Sequence, residues 1–148
     1  MSLKEQLTND MKEAMKAHDK DRLAVIRMVR GAVRQQEIDG KKELGDEDVL
    51  AVISKEVKMR RDSIEEFRKG GREDLVEKTE AEIAVLMPYL PAQLSEEEIR
   101  GLVQAAVEQT GAASPKDMGK VMGVLMPKVK GRADGKTVNA IVRSMLTN

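Results

Sequence analysis

Apolar residues recur along this chain at three- and four-residue intervals, and no segment sustains a period of two. The pattern predicts helices and no strands. Leu3, Leu7, Met11, Ala14 and Met15 mark one face behind a Ser2–Glu5 capping-box pattern. Asp19 is placed to cap a second helix that runs to about Ile38 and ends at Gly40. A third helix runs from Asp46 to Lys69, where Gly70-Gly71 breaks it, with Val49, Leu50, Ile53, Val57, Ile64 and Phe67 inward. Arg72 to Met87 reads as a fourth, burying Leu75, Val76, Thr79, Ile83 and Leu86.

Met87-Pro-Tyr-Leu-Pro91 interrupts the periodicity, because its two prolines disfavour helix on both sides. Ser95 and Glu98 then form a second capping box ahead of a helix from Ile99 to Gln109. Ser114-Pro115 opens another, with an apolar stripe that Pro127 is expected to stop. Asp134 caps a last helix carrying Val138, Ile141, Val142, Met145 and Leu146. The expected architecture is all-α: a four-helix domain over residues 1–90 and a small three-helix domain over 91–148, joined by a proline linker.

Composition removes several chemistries. Phe67 and Tyr89 are the only aromatic residues among 148, so single-stranded nucleic acid has no stacking platform to bind. Without cysteine there is no disulfide, thiolate nucleophile or cysteine-ligated zinc, and His18 alone builds neither a histidine–cysteine pair nor a metal cluster. No catalytic residue, metal site or cofactor is expected. Asp-Gly-Lys-Thr137 resembles the tail of a phosphate loop only weakly, since Gly131 is one residue too close and no strand precedes it. Met1 to Asp10 lacks an apolar signal core and no run is long enough to span a membrane, so the cytoplasm is the expected location, with no membrane partner.

Charge is unevenly spread. From Pro115 onward seven Lys/Arg face two acids, a net +5, which leaves −5 on residues 1–114 of this neutral chain. That division suggests a small basic module on an acidic helical body, and a polyanion as partner. Lys128, Lys130, Arg132 and Lys136 lie within nine residues, beside a glycine turn and a helix start suited to phosphate. The same residues also suit a plain helix end, cations meeting its dipole and Asp134 capping the next helix. Arg27, Arg30 and Arg34 fall within about 60° of one helical face with no acid inside that arc. They could hold successive phosphates or form a solvated face partnered by Glu37 or by another helix. Glu56 and Arg60 project onto an apolar face at i, i+4 spacing and read as a half-buried structural pair. Gly119 and Gly123, four apart within a helix, suggest close helix–helix contact or close approach of a ligand.

Tyr89-Leu-Pro-Ala-Gln-Leu-Ser-Glu-Glu-Glu-Ile99, Asp117-Met-Gly-Lys-Val-Met122 and Lys130-Gly-Arg-Ala-Asp-Gly-Lys136 resemble the YqeY family, as do Arg22-Leu-Ala-Val-Ile-Arg27 and Lys55-Glu-Val-Lys-Met-Arg-Arg61. That family is similar to the C-terminal tail of the GatB subunit of tRNA-dependent amidotransferase. The resemblance covers essentially the whole chain. It implies an all-α fold whose three-helix tail contacts tRNA, while the amide-transfer chemistry resides in other domains and another subunit. Free-standing members carry a label of carbon–nitrogen ligase with glutamine as amido donor, and the resemblance supplies no catalytic residue. It implies tRNA or structured RNA as a partner, with amidotransferase or aminoacyl-tRNA machinery as an alternative. A protein-binding adaptor is a further alternative.

Overall fold

The computed structural model describes residues 1–147. It is all-α, with seven α-helices and no strand among the described residues. Asn148, the last residue of the expected second domain, lies outside the described residues.

The chain divides into two compact units, the first Met1–Leu90 and the second beginning at Pro91. In the first, α1 (Leu3–Lys16), α2 (Lys20–Gly40), α3 (Asp46–Lys69) and α4 (Glu73–Leu86) enclose one core. Ser2 Oγ accepts from the Glu5 N–H, and an Asp19 carboxylate oxygen accepts from the Arg22 N–H, so both starts follow from local caps. The end of α2 differs from expectation. Gly40 remains helical and Lys41 takes the left-handed turn at φ 51°, closing the helix through N–H bonds to Glu37 and Ile38 carbonyls. Leu7, Ile26, Val29, Val49, Ile53 and Leu86 are almost fully buried at the centre. Thr79, a polar residue read as inward, satisfies its hydroxyl on the Leu75 carbonyl at 2.7 Å.

The segment after α4 packs into the first unit. Met87–Tyr89 forms a 3₁₀ turn, and Tyr89 is buried with its hydroxyl donating to an Asp10 carboxylate oxygen on α1. Asp10 also lies 4.0 Å from an Arg22 guanidinium nitrogen. Burial raises the Tyr89 phenol above its ordinary value, and the hydrogen bond and charge of Asp10 add to that shift.

In the second unit, α5 (Glu96–Thr110), a 3₁₀ turn (Pro115–Asp117), α6 (Met118–Val129) and α7 (Gly135–Thr147) surround Val103, Val121, Leu125, Val138 and Val142. Ser95 and Glu98 make both halves of the capping box at the start of α5. Pro127 does not stop α6, which continues to Val129. A proline removes one N–H, here the donor to the Gly123 carbonyl, and a single missing bond in the last turn leaves the next pairings possible. The Lys130 N–H still reaches the Met126 carbonyl at 3.0 Å.

Candidate anion-binding surfaces

The basic cluster of the second unit forms around the turn from α6 to α7. Lys128 lies in the last turn of α6, and Lys130 follows its end. Gly131 has φ 75°, a left-handed conformation that a side chain would strain. Asp134 then accepts from the Lys136 N–H at 3.4 Å, and its carbonyl accepts from the Val138 N–H, which sets the start of α7. Lys128, Lys130 and Lys136 are exposed.

Arg132 behaves differently from the three lysines. Its Nε donates to the Ala92 carbonyl at 3.3 Å, and its own carbonyl accepts from the Leu94 N–H at 2.8 Å. Gln93 Nε2 donates to the Gly131 carbonyl at 2.9 Å alongside. Arg132 therefore ties the segment before α5 to the α6–α7 turn. Its charge also reaches Glu98, whose carboxyl is held below its usual range first by the Ser95 N–H it accepts.

The charge division seen along the sequence does not follow the boundary between units. Residues 1–90 hold 18 basic and 20 acidic residues, a net −2, and the remainder hold 8 and 6, a net +2. Glu96, Glu97 and Glu98 form the first turn of α5 and offset much of the basic charge that follows in the second unit. Four of its eight basic residues, Lys128, Lys130, Arg132 and Lys136, fall around the α6–α7 turn, and the unit is not a wholly basic module.

The arginine stripe of the first unit lines a cleft of about 420 Å³ between α1 and α2, with Lys4, Leu7, Met11, Gly31 and Glu37 also on its walls. Arg27 and Arg34 are exposed and make no hydrogen bond or ion pair among the described residues. Arg30 is half-buried, with Nη1 2.9 Å from the Met11 sulfur. Glu37 is already engaged: it accepts from Lys4 Nζ at 2.5 Å and from the Leu44 N–H at 2.8 Å. Those two bonds hold the Glu37 carboxyl below its usual range, with Arg34 contributing only a longer-range charge, and the Glu37 bond raises Lys4. Lys4 was not legible as part of this site, since 33 residues separate it from Glu37.

The remaining charged cluster is structural. Arg60 donates to Glu56 Oε2 at 2.8 Å, as the i, i+4 spacing suggests, and also to Glu82 Oε1 on α4 at 3.0 Å. All three side chains are mostly buried, at 16%, 17% and 27% exposed. His18 stands exposed between α1 and α2 in a left-handed conformation. Among the described residues no group of three His, Cys, Asp or Glu is placed to hold a metal, and no helix is long and apolar enough to cross a membrane. Gly119 and Gly123 face open space: a Cβ at either would meet nothing within 4 Å. The helix–helix contact expected for them is absent.

A family model described as "Yqey-like protein" matches residues 4–146. A protein of Pyrenophora tritici-repentis named "Altered inheritance of mitochondria protein 41, mitochondrial" is 37% identical over 130 residues, covering 86% of this chain and 71% of its own length. The protein of that name in Kluyveromyces lactis is 37% identical over 135 residues, 89% of this chain and 69% of its own. In Lachancea thermotolerans the figures are 38% over 113 residues, 74% and 60%. These relatives are named as mitochondrial, which overturns the expectation of a cytoplasmic location. The absence of an apolar signal core speaks only to secretion, and a folded helical body carries no physical mark of its compartment.

Proposed function

This chain belongs to the Yqey-like protein family, and from that premise we propose that it is a helical module that binds tRNA or another structured RNA through phosphate contacts, with no amide transfer of its own. One observation carries the reading: Lys128, Lys130 and Lys136 are exposed together around the α6–α7 turn, next to the N-terminal end of α7. A helix start presents backbone N–H groups and the positive end of a dipole, so added lysines favour a phosphate there. The second unit contains no aromatic residue, so it offers no base-stacking platform of its own beside this turn. Arg132 supports the turn through one N–H, and the exposed Lys128 and Lys130 beside it are the first candidates for phosphate. The net charge of +2 on this unit makes binding modest and strongly salt-dependent.

Fluorescence titration of tRNA across a salt series tests the reading. The two contacts of Lys128 and Lys130 contribute a log–log slope of about −1.4 to −1.8 on duplex-like RNA. Lys128→Ala with Lys130→Ala should remove that contribution. Wild-type protein that shows no salt-sensitive binding at low ionic strength ends the RNA reading. Purified protein should release no glutamate from glutamine in the presence of ATP and charged tRNA. Release that survives removal of contaminating enzymes would favour the amidotransferase alternative.

A further inference from the structure

The α1–α2 cleft lies in the other unit and is built from different residues. Arginines mostly spend their charge on nearby carboxylates, as Arg60, Arg68, Arg72 and Arg100 do here. Arg27 and Arg34 have acidic neighbours on the same unit yet bond to none among the described residues. The one acid lining the cleft, Glu37, is held by Lys4 and the Leu44 N–H. Four cations against one engaged carboxylate leave the cleft with a net +3 in about 420 Å³.

We propose that the cleft between α1 and α2 binds the phosphodiester backbone of RNA, with Arg27, Arg30 and Arg34 as a ladder along one strand. The geometry of α2 sets the register. Arg27 and Arg34 are seven residues apart, about 10 Å along a helix axis at 1.5 Å per residue. Successive phosphates of one duplex strand advance about 3.4 Å along the axis in B-form DNA and less in A-form RNA, so that length accommodates at least three of them. Gly31 lies between the arginines, and a Cβ there would meet nothing within 4 Å, so the path along the helix is open. Guanidinium groups match phosphate oxygens in pairs, which a lysine point charge does not. No aromatic residue lines the cleft, so it grips backbone and does not read bases. A single small phosphate would occupy only part of the ladder.

The proposal shares with the preceding section only its polyanionic partner, and the test separates the two. The probe is a short RNA duplex, measured with the full chain. Arg27→Gln with Arg34→Gln removes two exposed cations and leaves Arg30 on Met11. The salt slope should fall by about 1.4 to 1.8 units. Lys55→Gln with Lys58→Gln removes the same charge from the exposed part of α3 and should change the slope little. Equal losses in both variants would mean a general charge effect and overturn the assignment, as would an unchanged slope in the arginine variant. Tripolyphosphate that displaces the duplex at equal phosphate concentration would reassign the cleft to a small oligophosphate. If the α6–α7 lysine variant keeps full binding while the arginine variant loses it, the cleft stands and the reading of the second unit falls. Wild-type protein with no affinity for the duplex ends the cleft assignment, while the tRNA titration decides the α6–α7 turn separately.

Discussion

Gly123 should be improvable. It lies inside α6, is exposed, and a Cβ added there would meet nothing within 4 Å. Alanine at that position meets no steric barrier and restricts the unfolded chain more than glycine does. The Gly123 carbonyl has no proton to lose from Pro127, so the substitution breaks no bond of the helix ladder. The full propensity difference of about 0.8–1.0 kcal/mol should therefore appear as added stability. For a unit of this size that is a rise in melting temperature of roughly 4–8 °C. With a urea dependence of about 1 kcal/mol per molar, the midpoint should rise by about 0.8–1 M at unchanged slope. Far-UV circular dichroism reads the midpoint, and hydrogen exchange of the α6 amides attributes the gain to the second unit. A midpoint that stays put or falls would refute the reasoning, because it would mean that glycine is kept for a contact or strain at that position.

Other outcomes follow from charges and caps. Arg60→Met should destabilise the first unit by about 2–4 kcal/mol, since Glu56 and Glu82 would be left mostly buried without their cation. Adding Glu56→Gln and Glu82→Gln should recover part of that loss in urea melts, and no recovery would contradict the ion-pair account. Asp134→Ala should cost about 0.5–2 kcal/mol and fray the first turn of α7, which hydrogen exchange of residues 135–138 would register. The Lys4–Glu37 pair should leave a signature at both ends of the pH scale. Glu37 is lowered on folding, so its contribution is present above about its ordinary 4.5 and is lost as pH falls through the lower folded value. Lys4 is raised, so its contribution is complete below about 10.5 and is lost at higher pH. Lys4→Met should flatten both limbs of a stability–pH curve, and a wild-type profile in that variant would disprove the pairing.

Local chemistry explains which features were legible in the sequence. Ser2, Asp19 and Ser95 act within three residues of themselves, so their helix starts could be read directly. Apolar periodicity likewise placed Val49, Ile53, Val103 and Val142 in cores. Arg132 was harder, because its bond to Ala92 spans 40 residues and gives a candidate phosphate ligand a structural tie as well. The second carboxylate on Arg60 lies on another helix, 22 residues away, where spacing rules give no guidance. Gly119 and Gly123 show the limit of inference from cost: the penalty was readable, but its expected cause, a packing neighbour, is not there. The arginine stripe was legible as an angle on one helix. Only the packing of α1 against α2 makes it a cleft.

The bond between Tyr89 and Asp10 gives the molecule a built-in optical probe. This chain has no tryptophan and one tyrosine, and that tyrosine closes the first unit with its hydroxyl on a carboxylate. Tyrosine emission therefore reports the opening of the Met1–Leu90 unit, while unfolding confined to the other unit leaves the ring in place. Far-UV dichroism sees both, so a melt followed by the two signals together would separate the units without any label. In alkali, the raised phenol should delay tyrosinate absorbance beyond the range of free tyrosine until the first unit opens. The onset of that absorbance would then mark an unfolding event as well as a titration.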